Sequence, residues 1–224
     1  VEVNGLAFDA VILAGGRSSR LGGVPKQSLV FQGQSLLERA VAAAAGARHV
    51  AVVGEMASLP IWPPNLLSCR EQPHFAGPAA AIAAGLDALA DIGEGAPYLL
   101  VLACDMPLAS QAVAALQEAL QMSTAADPAN VMAAEGGRPQ PLVGFYRTPE
   151  LTKACRDLAA RGALVNGSVR SLLANLDVQL VTVPAGSTSD VDTWDDAAAL
   201  GIAAGNQSER QDRQTGGANV GGNS

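Results

Sequence analysis

The chain holds little of what several common kinds of site require. It has two histidines, His49 and His74, and three cysteines, Cys69, Cys104 and Cys155. A histidine-based zinc centre or a serine–histidine triad therefore has little to build on. The cysteines are too few and too scattered for a disulfide framework or a C-x-x-C metal site. They read as small buried hydrophobes of a reducing compartment. Aromatic residues make up 4% and charged residues 16% of the sequence, so the core must be built from aliphatic and alanine side chains. Acidic residues outnumber basic ones by 21 to 14, for a formal net charge of -7. That balance argues against nucleic acid or an anionic membrane as a partner, since both need a basic face. No apolar run approaches a membrane span, and no basic stretch followed by an apolar core opens the sequence. The expectation is a soluble, cytoplasmic protein.

What is present is a regular alternation of strand-like and helix-like segments. Apolar runs predict strands at Ala7–Leu13, His49–Val53, Leu66–Cys69, Tyr98–Ala103, Val131–Ala134, Leu142–Tyr146 and Gln179–Val183. Between them, residues at helical spacing share faces: Leu37, Val41 and Ala44; Ile82, Leu86 and Leu89; Val113, Leu116 and Leu120. Leu151, Cys155 and Leu158 form another face, and so do Val169, Leu172, Leu173 and Leu176. This order predicts an α/β fold, a single-domain, Rossmann-like three-layer sandwich with a mostly parallel sheet. A short helix near Thr193–Leu200, with Trp194 and Ala198 facing one way, ends the pattern. The domain is expected over residues 1–202. The remaining 203–224, rich in Gly, Asn and Gln, cannot bury enough surface to offset its ordering entropy and is expected to be a disordered tail.

The densest chemical signal lies near the start. Val11, Ile12 and Leu13 form a strand too apolar to face water, and it breaks into Ala14-Gly15-Gly16-Arg17-Ser18-Ser19-Arg20-Leu21-Gly22-Gly23-Val24-Pro25-Lys26. Gly15 and Gly16 let the backbone turn and approach a ligand without a Cβ in the way. Arg17, Arg20 and Lys26 surround the exposed N–H groups with positive charge, which makes a polyphosphate cradle. The spacing matches neither the G-x-x-x-x-G-K-[ST] loop nor the G-x-G-x-x-G dinucleotide fingerprint.

A second signal is Leu99–Ala103 followed by Cys104-Asp105-Met106-Pro107. Asp105 falls just past the carboxyl end of a buried strand, where ligands sit in open α/β sheets. If this strand runs parallel to the first, the carboxylate and the glycine loop share one rim. A carboxylate beside a triphosphate suits Mg²⁺, which takes one or two protein oxygens and completes its octahedron with phosphates and water. The alternative for Asp105 is a turn or capping role before the next helix. Near the end, alternation places Asp190 and Asp192 on one side of an extended segment, and Asp192 or Thr193 caps the helix that follows. Two further segments are less specific. Cys69-Arg70-Glu71-Gln72-Pro73 leads to a Gly77-Pro78 turn opening a small-sided helix, and Gly137-Arg138-Pro139-Gln140-Pro141-Leu142 either shapes a ligand site or begins an edge strand.

Taken in order, the L-A-G-G-R-S-S-R-L-G-G-V-P-K loop, the C-D-M-P turn, the G-P turn after Arg70-Glu71, the G-R-P-Q-P-L segment and the closing D-V-D-T resemble the molybdenum cofactor guanylyltransferases. These belong to the glycosyltransferase-A-like nucleotidyltransferases, whose fold is that of the nucleotide-diphospho-sugar transferases. The resemblance runs from about Asp9 to Ala199. It implies transfer of GMP from GTP to the phosphate of molybdopterin, with pyrophosphate leaving and Mg²⁺ required. It implies transient contact with other proteins of cofactor biosynthesis. Leu13, Ala14, Gly15 and Gly16 would line the nucleotide together with Lys26, Glu71 and Asp105. Arg20, Lys26 and Asp105 are the catalytic candidates, and Asp105 and Asp192 the metal candidates. Two positions depart from the family pattern: Pro25 stands where aspartate is common, and Asp192 where some members carry asparagine. A cytidylyltransferase of the same cofactor, another small-molecule phosphate nucleotidyltransferase, and a non-catalytic nucleotide-binding module remain alternatives. Glu71 bears on the base, because a carboxylate can accept from guanine N1–H and N2 together, while cytosine presents acceptors at the matching edge. In an extended segment Arg70 would point to the opposite side.

Overall fold

The computed structural model describes residues 6–16, 19–55, 63–123 and 130–202. Arg17, Ser18 and the expected tail at 203–224 lie outside the described residues. Along the chain run β1 (Phe8–Ala14), β2 (Val30–Phe31), β3 (Gln34–Ser35), α1 (Leu36–Ala43), β4 (Val50–Gly54), β5 (Leu66–Cys69) and α2 (Pro78–Ala90). There follow β6 (Tyr98–Ala103), α3 (Ala109–Met122), β7 (Asn130–Glu135), β8 (Arg138–Arg147), α4 (Thr148–Ala160), α5 (Val169–Leu173), β9 (Val178–Thr182) and α6 (Trp194–Ala199). Seven strands form one sheet in the order β5-β4-β1-β6-β8-β7-β9, while β2 and β3 pair as a separate small hairpin. Within the large sheet β1 is parallel to both β4 and β6, β4 to β5, and β7 to β9. Only β8 runs against its neighbours. The α/β fold with a mostly parallel sheet is therefore as the sequence predicts, with one strand reversed.

Every residue of β1 is buried, and its alternation divides the core. Phe8, Ala10, Ile12 and Ala14 face one layer with Leu37 and Ala40 of α1 and Val113 and Leu116 of α3. Val11 and Leu13 face the other with Ile82, Leu86 and Leu89 of α2 and Leu151, Cys155 and Leu158 of α4. This is the three-layer sandwich: truncating one of these leucines to alanine costs about 2–5 kcal/mol. Helix α2 lies close because it is small-sided. A Cβ at Gly85 would stand 2.6 Å from a methyl of Val11, so no larger residue fits there. The helix opens at Pro78 in its first turn, where the missing N–H has no intrahelical partner to lose.

Strand β8 starts earlier than the sequence expectation and is the strand that runs antiparallel. It begins at Arg138, not Leu142, and lies inside the sheet between β6 and β7. The edge-strand reading of Pro139 and Pro141 holds only locally. Pairing with β6 starts at Val143, so both prolines fall on the stretch that overhangs the end of β6, where no ladder N–H is missed on that side. The register with β7 shifts between Met132, opposite Gly144, and Ala133, opposite Gln140. The buried Tyr146 hydroxyl donates to the Pro141 carbonyl at 2.8 Å and braces this irregularity. The reversal itself comes from the turn Gly136-Gly137, whose φ values of 56° and 79° suit a two-residue hairpin loop.

A third cluster joins segments far apart in sequence. Leu21, Leu29, Phe31 and Leu36 pack with Val191, Ala197 and Ile202. It fastens the glycine loop and the small hairpin to the last helix. Trp194 and Ala198 of α6 do share a face, but that face is exposed and Ala197 is the buried anchor. Helix α1 starts on a capping box between Ser35 and Glu38, and α6 on one between Thr193 and Asp196. The cap of α6 is thus Thr193, which leaves the Asp192 side chain for another task.

Candidate active site

The parallel strands bring their carboxyl ends to one rim, and the chemical residues collect there. The glycine loop leaves β1 at Ala14, and Asp105 follows β6 directly. The two strand ends are tied by the Cys104 N–H donating to the Leu13 carbonyl at 3.0 Å. A cavity of about 380 Å³ opens between them, lined among others by Leu13, Ala14, Gly15, Gly16, Lys26, Glu71, Asp105, Leu142 and Asp190. A second, of about 210 Å³, adjoins it and shares Ala14, Gly15, Gly16, Gln27, Glu71 and Phe75.

Gly15 and Gly16 serve the site by leaving room rather than by turning the chain. Neither lies in the left-handed region, and among the described residues a Cβ at Gly16 would meet nothing within 4 Å. Gly54, at the end of β4, is the sterically obligatory glycine: its Cβ would stand 2.5 Å from the Gly15 nitrogen. The two strand ends are therefore in backbone contact directly under the loop. The sharp reversals of the loop fall later, at Gly22 and Gly23 with φ of 65° and 83°.

Lys26 is the electrostatic hub. Its ammonium donates to Asp105 Oδ2 at 2.9 Å and forms a short ion pair with Asp192 Oδ1. Its side chain is only 18% exposed, so burial works against its charge. The adjacent Asp105 and Asp192 carboxylates outweigh that penalty, and the pKa of Lys26 is raised. Arg20 reaches Asp192 Oδ2 at 3.5 Å from a much more exposed position. Asp190 completes the group: one carboxylate oxygen from each of Asp105, Asp190 and Asp192 lies within 4.8 Å of the others. Partial desolvation, then repulsion from Asp105 and Asp192, raises the pKa of Asp190, as expected where like charges converge. An all-carboxylate donor set open to solvent on one side fits a hard divalent cation that keeps several ligands for phosphate and water. The cluster can hold such an ion.

The sequence placed Asp105, Asp192, Arg20 and Lys26 as candidates, and the fold brings all four together. Asp190 appeared only as sharing a side with Asp192; the two-residue spacing was the available signal for its place in the cluster. The residues that hold this segment were not foreseen. The Glu135 carboxylate, at the end of β7, accepts from the Gly186 and Thr188 N–H groups and from the Thr188 hydroxyl. The Val191 N–H donates to the Asp105 carbonyl at 3.0 Å. Asp196 Oδ2 accepts from the Asp192 N–H at 3.1 Å. No local pattern marks Glu135 for this, because its partners lie some fifty positions away.

Glu71 is buried and borders both cavities, with Oε1 accepting from the Phe75 N–H at 3.0 Å. Arg70 is not turned wholly away, since it borders the smaller cavity beside Glu71. Its guanidinium lies 3.4 Å from His74 Nε2. None of the three cysteines is paired. Cys104 borders the large cavity, but burial and the neighbouring Asp105 push its thiol pKa far up, so it offers no thiolate. Cys155 is pushed up to about 12 by burial and the charge of Asp87. Among the described residues no helix is long and apolar enough to cross a membrane.

Comparison with known proteins agrees with this geometry. Residues 10–180 match the MobA-like NTP transferase domain. A molybdenum cofactor guanylyltransferase of a Bradyrhizobium species is 30% identical over 184 residues, spanning 80% of this chain and 82% of the relative. One of Bordetella petrii is 36% identical over 105 residues, spanning 43% of this chain and 48% of the relative. Among solved structures, molybdopterin-guanine dinucleotide biosynthesis protein A of Archaeoglobus fulgidus superposes with a TM-score of 0.62 at 17% identity, over 86% of this chain and 96% of that one. The 2-C-methyl-D-erythritol 4-phosphate cytidylyltransferase of Francisella tularensis gives 0.66 at 15% identity, over 87% and 99%. At such identities the structural likeness is one of fold. The length of the family match and its coverage of the Bradyrhizobium relative carry the conclusion that this chain belongs to the MobA-like NTP transferase family and is a nucleotidyltransferase.

Proposed function

We propose that the chain transfers GMP from GTP to the terminal phosphate of a molybdopterin-type acceptor in the cytoplasm, releasing pyrophosphate and requiring Mg²⁺. The observation that carries this reading is the convergence of the Gly15-Gly16 loop, Lys26 and the three carboxylates around one cavity. In the reaction an acceptor phosphate oxygen forms a bond to the α-phosphorus of GTP. The bond from that phosphorus to the bridging oxygen breaks, and the electron pair leaves with pyrophosphate. The acceptor is already ionised, so no side chain has to remove a proton, which suits a large cavity that no described histidine lines. Asp105 and Asp192, with Asp190 beside them, would hold the Mg²⁺, which when bound supplies charge neutralisation at the phosphates.

The protein's own contribution is positioning and charge. Leu13, Ala14, Gly15 and Gly16 form a floor on which the nucleotide lies close to backbone. Lys26, bound to Asp105 and Asp192, is already charged and held at the mouth of that floor, ready to meet phosphate oxygens. Arg20 adds a second, more exposed charge from the rim. Glu71 keeps one carboxylate oxygen on the Phe75 N–H and borders both cavities, and its further accepting capacity would suit the donor edge of guanine. The overhanging start of β8 reaches the large cavity through Leu142 and suits the acceptor side.

Pyrophosphate release tests the reading. With Mg²⁺ and the acceptor, GTP should be used well and CTP poorly, and inosine triphosphate, lacking the amine, less well by roughly 1–3 kcal/mol. Equal use of CTP would replace the guanylyl assignment by the cytidylyl one. Nucleotide binding with no turnover on any acceptor would leave a binding module.

A further inference from the structure

Phe75 is out of place by every measure the fold offers. The other three phenylalanines, Phe8, Phe31 and Phe145, are buried, whereas Phe75 is 43% exposed. It borders both cavities, standing at their junction. Its φ of 59° places a bulky residue in the left-handed region, which L side chains rarely adopt. Such a conformation persists only where surroundings over-determine it. Here they do: Glu71 Oε1 accepts the Phe75 N–H at 3.0 Å, and the next carbonyl, of Ala76, accepts the Asn166 N–H. The His74 ring packs edge-on against it, with centroids 5.8 Å apart. An exposed aromatic ring is thus held in a disfavoured backbone geometry by a carboxylate that itself borders the ligand cavity.

We propose that Phe75 is a binding residue whose ring stacks on the nucleobase of the triphosphate, an inference that rests on the nucleotidyltransferase reading of this site. The coupling to Glu71 decides which ring it meets. One carboxylate oxygen fixes the Phe75 backbone, and both residues border the same two cavities, so a planar ring that bonds to Glu71 lies beside Phe75. Stacking is tolerant of base identity, so Phe75 supplies affinity while Glu71 supplies choice.

The test compares Mg²⁺·GTP with Mg²⁺·tripolyphosphate, which has the phosphates but no base, by titration calorimetry on the full chain. Phe75→Ala should weaken GTP about ten- to a hundredfold and leave tripolyphosphate unchanged, and Phe75→Tyr should restore GTP affinity. The melting temperature of Phe75→Ala should stay near that of the parent, because the ring is not in the core. Equal weakening of both ligands would show that Phe75 only holds the loop, and would overturn the proposal. Unchanged GTP affinity with a raised KM for the acceptor would move the stack to the acceptor's ring and overturn it too. If the parent chain binds neither ligand, the nucleotide reading of the cavity falls first and takes this inference with it.

Discussion

The two ends of the seven-stranded sheet carry aspartates in opposite circumstances. At the amino end of β1, Asp9 is 3% exposed, and its two oxygens accept from the Ala96 N–H at 2.7 Å and the His49 N–H at 3.1 Å. Nearby, the Thr148 hydroxyl donates to the Ala96 carbonyl and the Thr148 N–H to that of Pro97, so the loops at this end are sewn to one another. At the carboxyl end Asp105, Asp190 and Asp192 converge on each other, and the charge that relieves them is a lysine side chain. A carboxylate whose acceptors are filled by buried backbone N–H groups is committed to the fold. Carboxylates held together against their own repulsion and matched by a side-chain ammonium, which can swing away to a ligand, are available for chemistry. The residue type is the same at both ends; the partners decide.

Substitutions at the two ends should separate these roles. The largest effect is expected from Asp105→Asn, which should lower Mg²⁺-dependent pyrophosphate release a hundredfold or more, consistent with losing a metal contact worth several kcal/mol. Its melting temperature should stay near the parent's. An active but unstable variant would place Asp105 with Asp9, on the structural side of the comparison. Asp9→Ala should do the reverse: about 2–4 kcal/mol less stable in chemical denaturation, because one buried and one partly buried N–H donor lose their carboxylate partner, with KM for GTP unchanged.

Lys26→Ala sharpens the contrast by giving effects of opposite sign. Triphosphate binding should weaken by about 1.5–3 kcal/mol through loss of a charge-assisted contact. Binding of Mn²⁺ alone, followed by electron paramagnetic resonance, should instead strengthen, since the internal cation no longer competes for Asp105 and Asp192. Weaker binding of both would show that Lys26 organises the carboxylates rather than balancing them.

The smallest effect concerns Glu135, which anchors the loop ahead of Asp190. The Thr188 hydroxyl, then the Gly186 N–H, hold its pKa below the usual carboxylate value. A depressed folded-state pKa means that its contribution is present above the unfolded value near 4.5 and fades as pH falls through the folded one. Glu135→Gln should therefore cost under about 1 kcal/mol at neutral pH, the side chain being only partly buried, and nothing at low pH. Melting curves of both proteins across that range test it; a difference that persists in acid would mean the anchor does not depend on charge.

Much of this was written in short stretches of sequence, because it follows from local periodicity and local conformation. Leu66–Cys69 and Tyr98–Ala103 are strands at the expected residues, since apolar β-formers bounded by turn residues allow little else. Pro78 opens its helix, Thr193 caps another, and the glycine loop and Asp105 follow strand ends as their spacing requires. Only the tertiary structure decided direction and convergence. The reversal of β8 turned on Gly136-Gly137, a hairpin signal that the prolines after it obscured. The pairing of Lys26 with Asp192 spans 166 positions, and the grip of Glu135 on Thr188 spans 53. Phe75 looks like any apolar residue until its backbone is seen to be held left-handed at the edge of two cavities. Periodicity acts over a few neighbours, whereas a charge cluster exists only where crossovers return distant strand ends to the same rim.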